Sequence, residues 1–242
     1  MTKGTFSYGD ERFEYQVFYT PGRQDNIAIH VHPDASVEVD APEGEETSKI
    51  HAAVLKRARW IKTHVERART QKEHVLPRSY VSGESLFYLG RRYQLKVNSE
   101  NYQEPGVKLL RGKICVYTQS KDPKIVKKRL AEWYRSRASD VFARRLHEIL
   151  EQVLWLKSPP PFRLVTMQKQ WGSCSPKGAI LLNPHLVKAP RECVDYVITH
   201  ELCHLQEHNH SPRYYRLLGQ LMPEWRPVKA RLDGMAELLL NE

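Results

Sequence analysis

The chain has 242 residues, 40% hydrophobic and 27% charged, which is enough to bury a core without disulfides or a structural metal. No apolar run approaches the roughly 18 residues that span a bilayer, and the N-terminus has no apolar signal segment, so we expect no membrane partner and a cytoplasmic location. Four cysteines without CxxC spacing exclude a disulfide framework and a thiolate zinc site. The net charge of +10 allows a nucleotide or nucleic acid as a partner.

The first hundred residues are mostly predicted to be strands. Apolar and polar residues alternate along three segments, and turn-forming residues at 32–36 predict a hairpin between the last two. The apolar positions are Phe13, Tyr15 and Val17, then Ile27, Ile29 and Val31, then Val37 and Val39. Residues 47–71 repeat apolar residues at helical spacing among many basic residues, which predicts one basic helix. Further strands are predicted at 93–97, 107–110 and 114–117.

The second half of the chain begins with an amphipathic helix predicted over residues 122–156, ended by Ser158-Pro159-Pro160-Pro161. A strand at 162–167, the turn-rich segment WGSCSPKG, a strand AILLN and several helices follow. No internal repeat is detected in the sequence. We therefore predict an α+β fold, with a β-rich N-terminal region and one basic helix over residues 1–120 and a helical part over residues 121–242.

Residues 200–204 read His-Glu-Leu-Cys-His, the H-E-x-x-H pattern. On a helix with about 100° per residue, His200 and His204 lie roughly 40° apart, so their imidazoles can form two legs of a tetrahedral zinc site. A separate apolar arc is formed by Val194, Ile198, Leu202 and Leu205. Glu201 falls between the two arcs, where a general base for metal-bound water is placed in this motif.

A third histidine beyond the predicted helix end completes the ligand set. His210 has the spacing of the third metzincin ligand, but Glu207 stands where metzincins have a helix-breaking glycine. Asn209 tolerates the left-handed conformation and Ser211-Pro212 can begin a new helix, so the chain can turn back towards the metal. His208 is the alternative ligand, although a histidine at a helix end is more often solvated.

Three imidazoles with one open coordination position are typical of catalytic zinc, so the sequence predicts one zinc ion per chain. An iron site of the facial-triad type would need two histidines and a carboxylate, but Glu201 is better placed as a base than as a ligand. A closed structural site would need a fourth protein ligand, and only three are evident. The pattern therefore favours a zinc centre that activates water.

Residues 170–218, QWGSCSPKGAILLNPHLVKAPRECVDYVITHELCHLQEHNHSPRYYRLL, combine several motifs around this centre. W-G-S-C-S is followed by L-N, by a proline before the helix, by D-Y-V-I-x-H-E-L-C-H and by N-H-S. The N-terminal hairpin, the basic helix and the segment GESLFYLGRRYQLKV fit the same pattern. On these motifs the sequence resembles the YgjP-like metallopeptidase family, which is related to the SprT-like zinc peptidases, over nearly its whole length.

The resemblance implies a zincin-like metallohydrolase domain over residues 121–242. The family's metal ligands fall on His200, His204 and His210, and its catalytic glutamate falls on Glu201. It also implies a strand and turn that flank the substrate cleft, formed by Trp171, Gly172, Ser173 and Cys174.

The residues of this flank support a substrate cleft. Gly172 and Gly178 allow close backbone approach and a tight turn, and an exposed strand there could pair with an extended peptide. Trp171 is either a cleft wall or a substrate contact. Asn183 is assigned to backbone groups in preference to substrate. Ser173-Cys174 has no dedicated base, so neither residue is predicted to be a nucleophile.

The leading function is that of a zinc peptidase acting on a peptide or protein, in which Glu201 takes the proton of the water and passes it to the leaving amine. Stabilisation of the oxyanion is left open among Tyr214, Tyr215, Arg213 and His185, and Tyr214 is also a candidate for the cleft. A nucleoside triphosphate (UTP) pyrophosphohydrolase is the alternative, because related sequences carry that label, but no Walker loop or acidic magnesium cluster is present. A DNA-associated protease is the third hypothesis, by analogy with SprT-like relatives.

Overall fold

The computed structural model describes residues 2–20, 27–32, 35–73, 78–100, 104–167, 170–175 and 178–241. The chain divides into two units, Met1–Leu76 and Pro77–Glu242, and each has its own hydrophobic core. The fold is α+β, as predicted. None of the helices in these described ranges is both long and apolar enough to cross a membrane.

The first unit is a four-stranded sheet followed by two helices. Its elements are β1 (Thr2–Tyr8), β2 (Glu11–Thr20), β3 (Ala28–Val31), β4 (Val37–Pro42), α1 (Thr47–Lys56) and α2 (Ala58–Glu73). The strand order is β1-β2-β4-β3, with β2 and β4 parallel and the outer pairs antiparallel. The predicted hairpin is therefore present as β3 and β4, although residues 33–34 of its turn lie outside the described residues.

The basic helix predicted over residues 47–71 is two helices, because Arg57 leaves the helical conformation with φ −109° and ψ 12°. The apolar face continues across this break. Ile50 and Val54 of α1, and Ile61 and Val65 of α2, are buried in the core of the first unit. The spacing of apolar residues thus predicted the buried face correctly and missed the interruption.

The described residues of the second unit form two sheets and four α-helices. Its elements are β5 (Ser85–Tyr88), β6 (Arg91–Asn98), β7 (Gly106–Leu110), β8 (Lys113–Tyr117), α3 (Pro123–Leu150), β9 (Phe162–Leu164), β10 (Gly172–Cys174), β11 (Ile180–Leu182), a 3₁₀ helix (Pro184–Lys188), α4 (Arg191–His204), α5 (Pro212–Leu221) and α6 (Trp225–Leu240). The larger sheet has the order β5-β6-β8-β7 and the smaller one the order β10-β11-β9.

The boundary between the units, at 76/77, differs from the boundary predicted at 120/121. The sheet of β5–β8 belongs to the second unit because it shares a core with α3. Leu95 and Ile114 of the sheet lie in the same buried cluster as Val126 and Leu130 of the helix. The sequence pattern changes from strand to helix near residue 120. The hydrophobic core, which defines a unit, includes residues from both sides of that position.

The two four-stranded sheets have the same topology, although no repeat is detectable in the sequence. In each, the second and fourth strands are parallel and the outer pairs are antiparallel. The first two strands are joined in each sheet by a two-residue turn that contains a glycine with positive φ, 62° at Gly9 and 75° at Gly90. The first unit therefore repeats the sheet of the second at the level of topology.

Helix α3 ends at Leu150, before the predicted end at residue 156. Two tight turns follow, in which the Gln152 N–H donates to the Ile149 carbonyl and the Val153 N–H to the Leu150 carbonyl, both at 3.0 Å. They bury Val153 in the core and leave Leu154 92% exposed. The strand predicted at 162–167 is the shorter β9.

Candidate metal centre and active site

Helix α4 carries the H-E-x-x-H residues and is held by a fully buried apolar face. Val194, Ile198 and Leu202 have no exposed surface, which matches the predicted arc. Glu201 is also buried, whereas His200 and His204 are partly exposed on the adjoining side of the helix. The helix thus presents two imidazoles one turn apart, with the carboxylate between them and the core.

The three predicted histidines meet at one point. Nε2 of His200 lies 3.3 Å from Nε2 of His204 and 3.2 Å from Nε2 of His210. In a tetrahedral site with zinc–nitrogen distances of about 2.0–2.1 Å, neighbouring nitrogens are roughly 3.3–3.4 Å apart. Three imidazole Nε2 atoms cannot all satisfy one another by hydrogen bonds, whereas a metal ion takes a lone pair from each. The donor set therefore fits a metal ion.

The protonation of the histidines also favours a ligand role. Burial, followed by the neighbouring imidazoles, holds the pKa of His200 well below its ordinary value. Burial lowers the pKa of His204 as well. Nδ1 of His204 lies 3.2 Å from the carbonyl oxygen of Glu207, and when it donates there, Nε2 keeps its lone pair for the metal. Neutral imidazoles are the form that binds metals.

The chain brings His210 to the other two histidines by ending α4 at His204. The helix ends at His204, and a new helix begins at Pro212, where the hydroxyl of Ser211 accepts a hydrogen bond from the Tyr214 N–H at 3.2 Å. His208 is exposed, as predicted. Asn209 is not among the described residues with positive φ, so the turn forms without the left-handed conformation that the sequence suggested.

Replacement of His210 with alanine is expected to weaken zinc binding sharply while leaving some occupancy that excess zinc restores, because two imidazoles of α4 remain in place. Competition with a chromophoric chelator measures the change in affinity. His208→Ala is the matched control and should bind zinc like the unmodified chain. Loss of zinc in the His208 variant and retention in the His210 variant would reverse the assignment of the third ligand.

Tyr214 lies behind the three histidines and not in an open cleft. Its side chain has no exposed surface, and its hydroxyl donates to the backbone carbonyl of His200 at 3.2 Å. Its ring centroid lies 4.6 Å from that of His204 and 4.7 Å from that of His210. The structure therefore corrects the prediction of Tyr214 as a cleft or oxyanion residue, because a buried hydroxyl that supports a ligand's backbone does not face a substrate.

The backbone of Gly172 packs against the side chain of Glu201, next to the predicted substrate cleft. A Cβ atom at position 172 would lie 2.6 Å from Oε1 and 2.9 Å from Cγ of Glu201, so only glycine fits beside this carboxylate. Burial raises the pKa of Glu201 to about 8. The close backbone approach predicted for Gly172 is confirmed, and its partner is the candidate general base.

Replacement of Gly172 with alanine is expected to lower hydrolytic activity at least about tenfold while zinc content stays unchanged, because the new methyl group displaces the Glu201 carboxylate. Gly106→Ala is the matched control, since a Cβ there meets nothing within 4 Å. Steady-state kinetics and elemental analysis measure both quantities. Full activity in the Gly172 variant would show that the position of Glu201 does not depend on this contact.

The remaining cleft candidates divide into two groups. Trp171, Ser173 and Cys174 are partly buried, the last two in β10 and the first directly before it. Burial, and then the charge of Glu201, raises the pKa of Cys174, which disfavours the nucleophilic thiolate. Asn183 is fully buried, and its amide donates to the carbonyls of residues 167 and 170 at 2.7 and 3.0 Å. Its amide therefore satisfies backbone carbonyls, as predicted.

Of the other three oxyanion candidates, Tyr215 lies in the best position. It is 42% exposed, stacks on Trp225 at 5.5 Å between ring centroids and lies 6.0 Å from the ring of His210. Arg213 is exposed on the same helix. His185 lies in a separate cavity, with Nδ1 2.7 Å from Nζ of Lys188.

One structural anchor of the site was missed in the sequence. Asp195, on α4, accepts hydrogen bonds from Nε and Nη2 of Arg145 at 2.6 and 2.8 Å, which ties α4 to α3. Arg145 also pairs with Glu148. The aspartate stands five residues before His200 in the quoted motif, but its partner is 50 residues away, so no local pattern reveals the pair.

The chain is similar to one family model and to distant solved structures, among them two archaeal metallopeptidase zymogens. The model of the family described as YgjP-like, metallopeptidase domain, matches residues 25–235. No curated protein matches the chain. The metallopeptidase zymogen of Pyrococcus abyssi abylysin is 22% identical over 42% of this chain and 94% of its own, with a TM-score of 0.34. The zymogen of Methanocaldococcus jannaschii jannalysin is 20% identical over 39% and 92%, with a TM-score of 0.32.

The family match spans most of both units and includes the three histidines, Glu201 and the strand that carries Gly172. The described residues place the three histidines together as a group able to hold a metal ion. The chain therefore belongs to the YgjP-like metallopeptidase family.

Proposed function

We propose that this chain is a zinc peptidase in which His200, His204 and His210 hold one zinc ion and Glu201 is the general base. The observation that carries the proposal is a cluster of three imidazole nitrogens beside a buried glutamate, in which Nε2 of His200 lies 3.3 Å from that of His204 and 3.2 Å from that of His210. Three nitrogen donors with an open position favour zinc among the metals that bind imidazole. When bound, zinc acidifies a water molecule and polarises the scissile carbonyl.

The protein's own groups supply the proton transfers and the alignment. Glu201 removes a proton from the attacking water and delivers it to the leaving nitrogen. The backbone of Gly172 restricts the carboxylate of Glu201 on one side, so the base is already positioned before the reaction. Tyr214 holds the ligand cluster from behind by its hydrogen bond to the His200 carbonyl. Tyr215 is the proposed donor to the oxyanion because its ring is exposed next to His210.

The shape of the cleft wall supports an extended peptide as the substrate. Strand β10 is at the edge of its sheet and pairs with β11 on one side, so the backbone groups on its other side can pair with a substrate strand. Because Gly172 on this strand contacts Glu201, a peptide added to β10 would pass beside the base. Backbone pairing of this kind recognises any peptide, whereas a nucleoside triphosphate offers no matching set of amide groups.

The test is a parallel assay of the zinc-loaded protein on unfolded peptides and on nucleoside triphosphates. We expect cleavage of peptide bonds that a chelator stops and zinc restores, and no release of pyrophosphate. Mass spectrometry of the products locates each cut. Pyrophosphate release without peptide cleavage would replace the proposal with the pyrophosphohydrolase alternative. Cleavage that needs DNA would favour the DNA-associated protease.

A further inference from the structure

The second unit contains a cavity of about 260 Å³ that shares no residue with the metal centre. It is formed by α3, the 3₁₀ helix and the segment around β5. Five basic side chains line it, whereas Glu132 is the one acidic residue among the described residues of its wall. The basic residues are Arg78, Lys127, Lys128, Arg135 and Lys188.

Two of these cations form a fixed floor. Lys188 is buried, and its Nζ donates to the Leu239 carbonyl at 2.9 Å and lies 5.1 Å from the ring centroid of Tyr134. The side chain of Arg78 is 8% exposed and donates to the carbonyls of Ser85 and Asn241 at 2.8 and 3.1 Å. Carbonyl groups orient both cations in the floor, and Nη1 of Arg78 also lies 4.0 Å from Oε1 of Glu84.

The other three cations form a rim along α3. Lys128 and Arg135 are exposed, and Lys127 is partly buried with its Nζ 5.8 Å from the ring centroid of Tyr80. Arg135 uses Nη2 to donate to the Leu164 carbonyl at 2.9 Å, which fixes the guanidinium while leaving other N–H groups for a ligand. The rim can therefore offer donors to an anion that enters the cavity.

The charge of the whole chain is concentrated in this unit. Residues 77–242 contain 27 Lys and Arg against 16 Asp and Glu, whereas residues 1–76 contain 11 against 12. The net charge of +10 is therefore carried by the second unit. A concave site with walls of low polarity focuses such a field and raises the local concentration of anions.

We propose that this cavity binds a small organic phosphate. Phosphate oxygens accept several hydrogen bonds at once, which matches lysine and arginine donors arriving from both floor and rim. Leu86, Leu130 and the ring of Tyr80 supply an apolar wall for the remainder of the molecule. A single carboxylate would use fewer of these donors. The site is separate from the metal centre and does not depend on the proposed peptidase function.

The test is calorimetric titration of the zinc-loaded full chain with ADP and with inorganic phosphate. We expect ADP to bind more tightly than phosphate, and the double variant Lys127→Gln, Lys128→Gln to bind ADP at least about tenfold more weakly. The matched control is Lys96→Gln, Lys113→Gln, which removes two exposed charges of the same unit outside the cavity. The control should bind ADP like the unmodified chain.

Four results would overturn the proposal. Absence of ADP binding at millimolar concentration would remove the site. Equal weakening of ADP binding in both double variants would show that ADP is attracted by the overall charge of the second unit and not by the cavity. Unchanged binding in the Lys127, Lys128 variant would place the phosphate elsewhere, such as at the zinc ion, because the variant leaves the metal centre intact. If inorganic phosphate bound as tightly as ADP, the apolar wall would contribute nothing to binding, and the site would not select an organic phosphate.

Discussion

Replacement of His200 with alanine is expected to leave less than about one tenth of a zinc ion per chain, against about one in the unmodified protein, and to abolish hydrolysis. His200 is the centre of the cluster, since its Nε2 lies within 3.3 Å of the corresponding atom of both other histidines. Its loss removes the imidazole nitrogen that lies near both other histidines. Elemental analysis after gel filtration gives the zinc content.

The control for this variant is His147→Ala, which removes an exposed histidine of α3 and should retain zinc and activity. Circular dichroism separates loss of metal from loss of fold, because the buried face of α4 does not include His200. Unchanged zinc in a folded His200 variant would refute the metal centre as described, whatever the activity of the preparation.

Replacement of Glu201 with glutamine is expected to lower kcat by at least about 10²-fold while the zinc content stays at one per chain. Glutamine has the shape of glutamate, so it fits against Gly172, but it cannot accept the proton of the attacking water. The thermal midpoint should not fall, because burial already disfavours the charge of Glu201 and the neutral amide avoids that cost.

Glu207→Gln is the matched control, since Glu207 follows α4 and contacts His204 through its backbone carbonyl, which the substitution keeps. That variant should retain its rate. A preparation of Glu201→Gln that hydrolyses peptides at the full rate would contain a contaminating protease or use another base. Retained zinc with lost activity would separate the catalytic group from the groups that hold the metal.

The sequence by itself determined the local parts of the site. Helical spacing placed His200 and His204 on one side of α4 and the apolar arc on another, because the geometry of a helix follows from the residue interval alone. Ser211 and Pro212 marked the next helix start correctly, since capping and the fixed φ of proline act within one turn. The alternation of apolar residues also identified β2, β3 and β4 of the first unit but not β1.

Contacts between distant segments were decided by the tertiary structure. Tyr214 and His185 have side chains that suit catalysis, yet packing buries the first behind the ligands and puts the second in another cavity. The hydrogen bonds between Asp195 and Arg145 join residues 50 positions apart. The observed boundary between the units differs from the predicted one for the same reason. Burial of apolar surface joins β5–β8 to α3, although the local sequence pattern changes from strand to helix between them. The periodicity of apolar residues predicts which face of a helix or strand is buried. Only the tertiary structure shows which other element packs against that face.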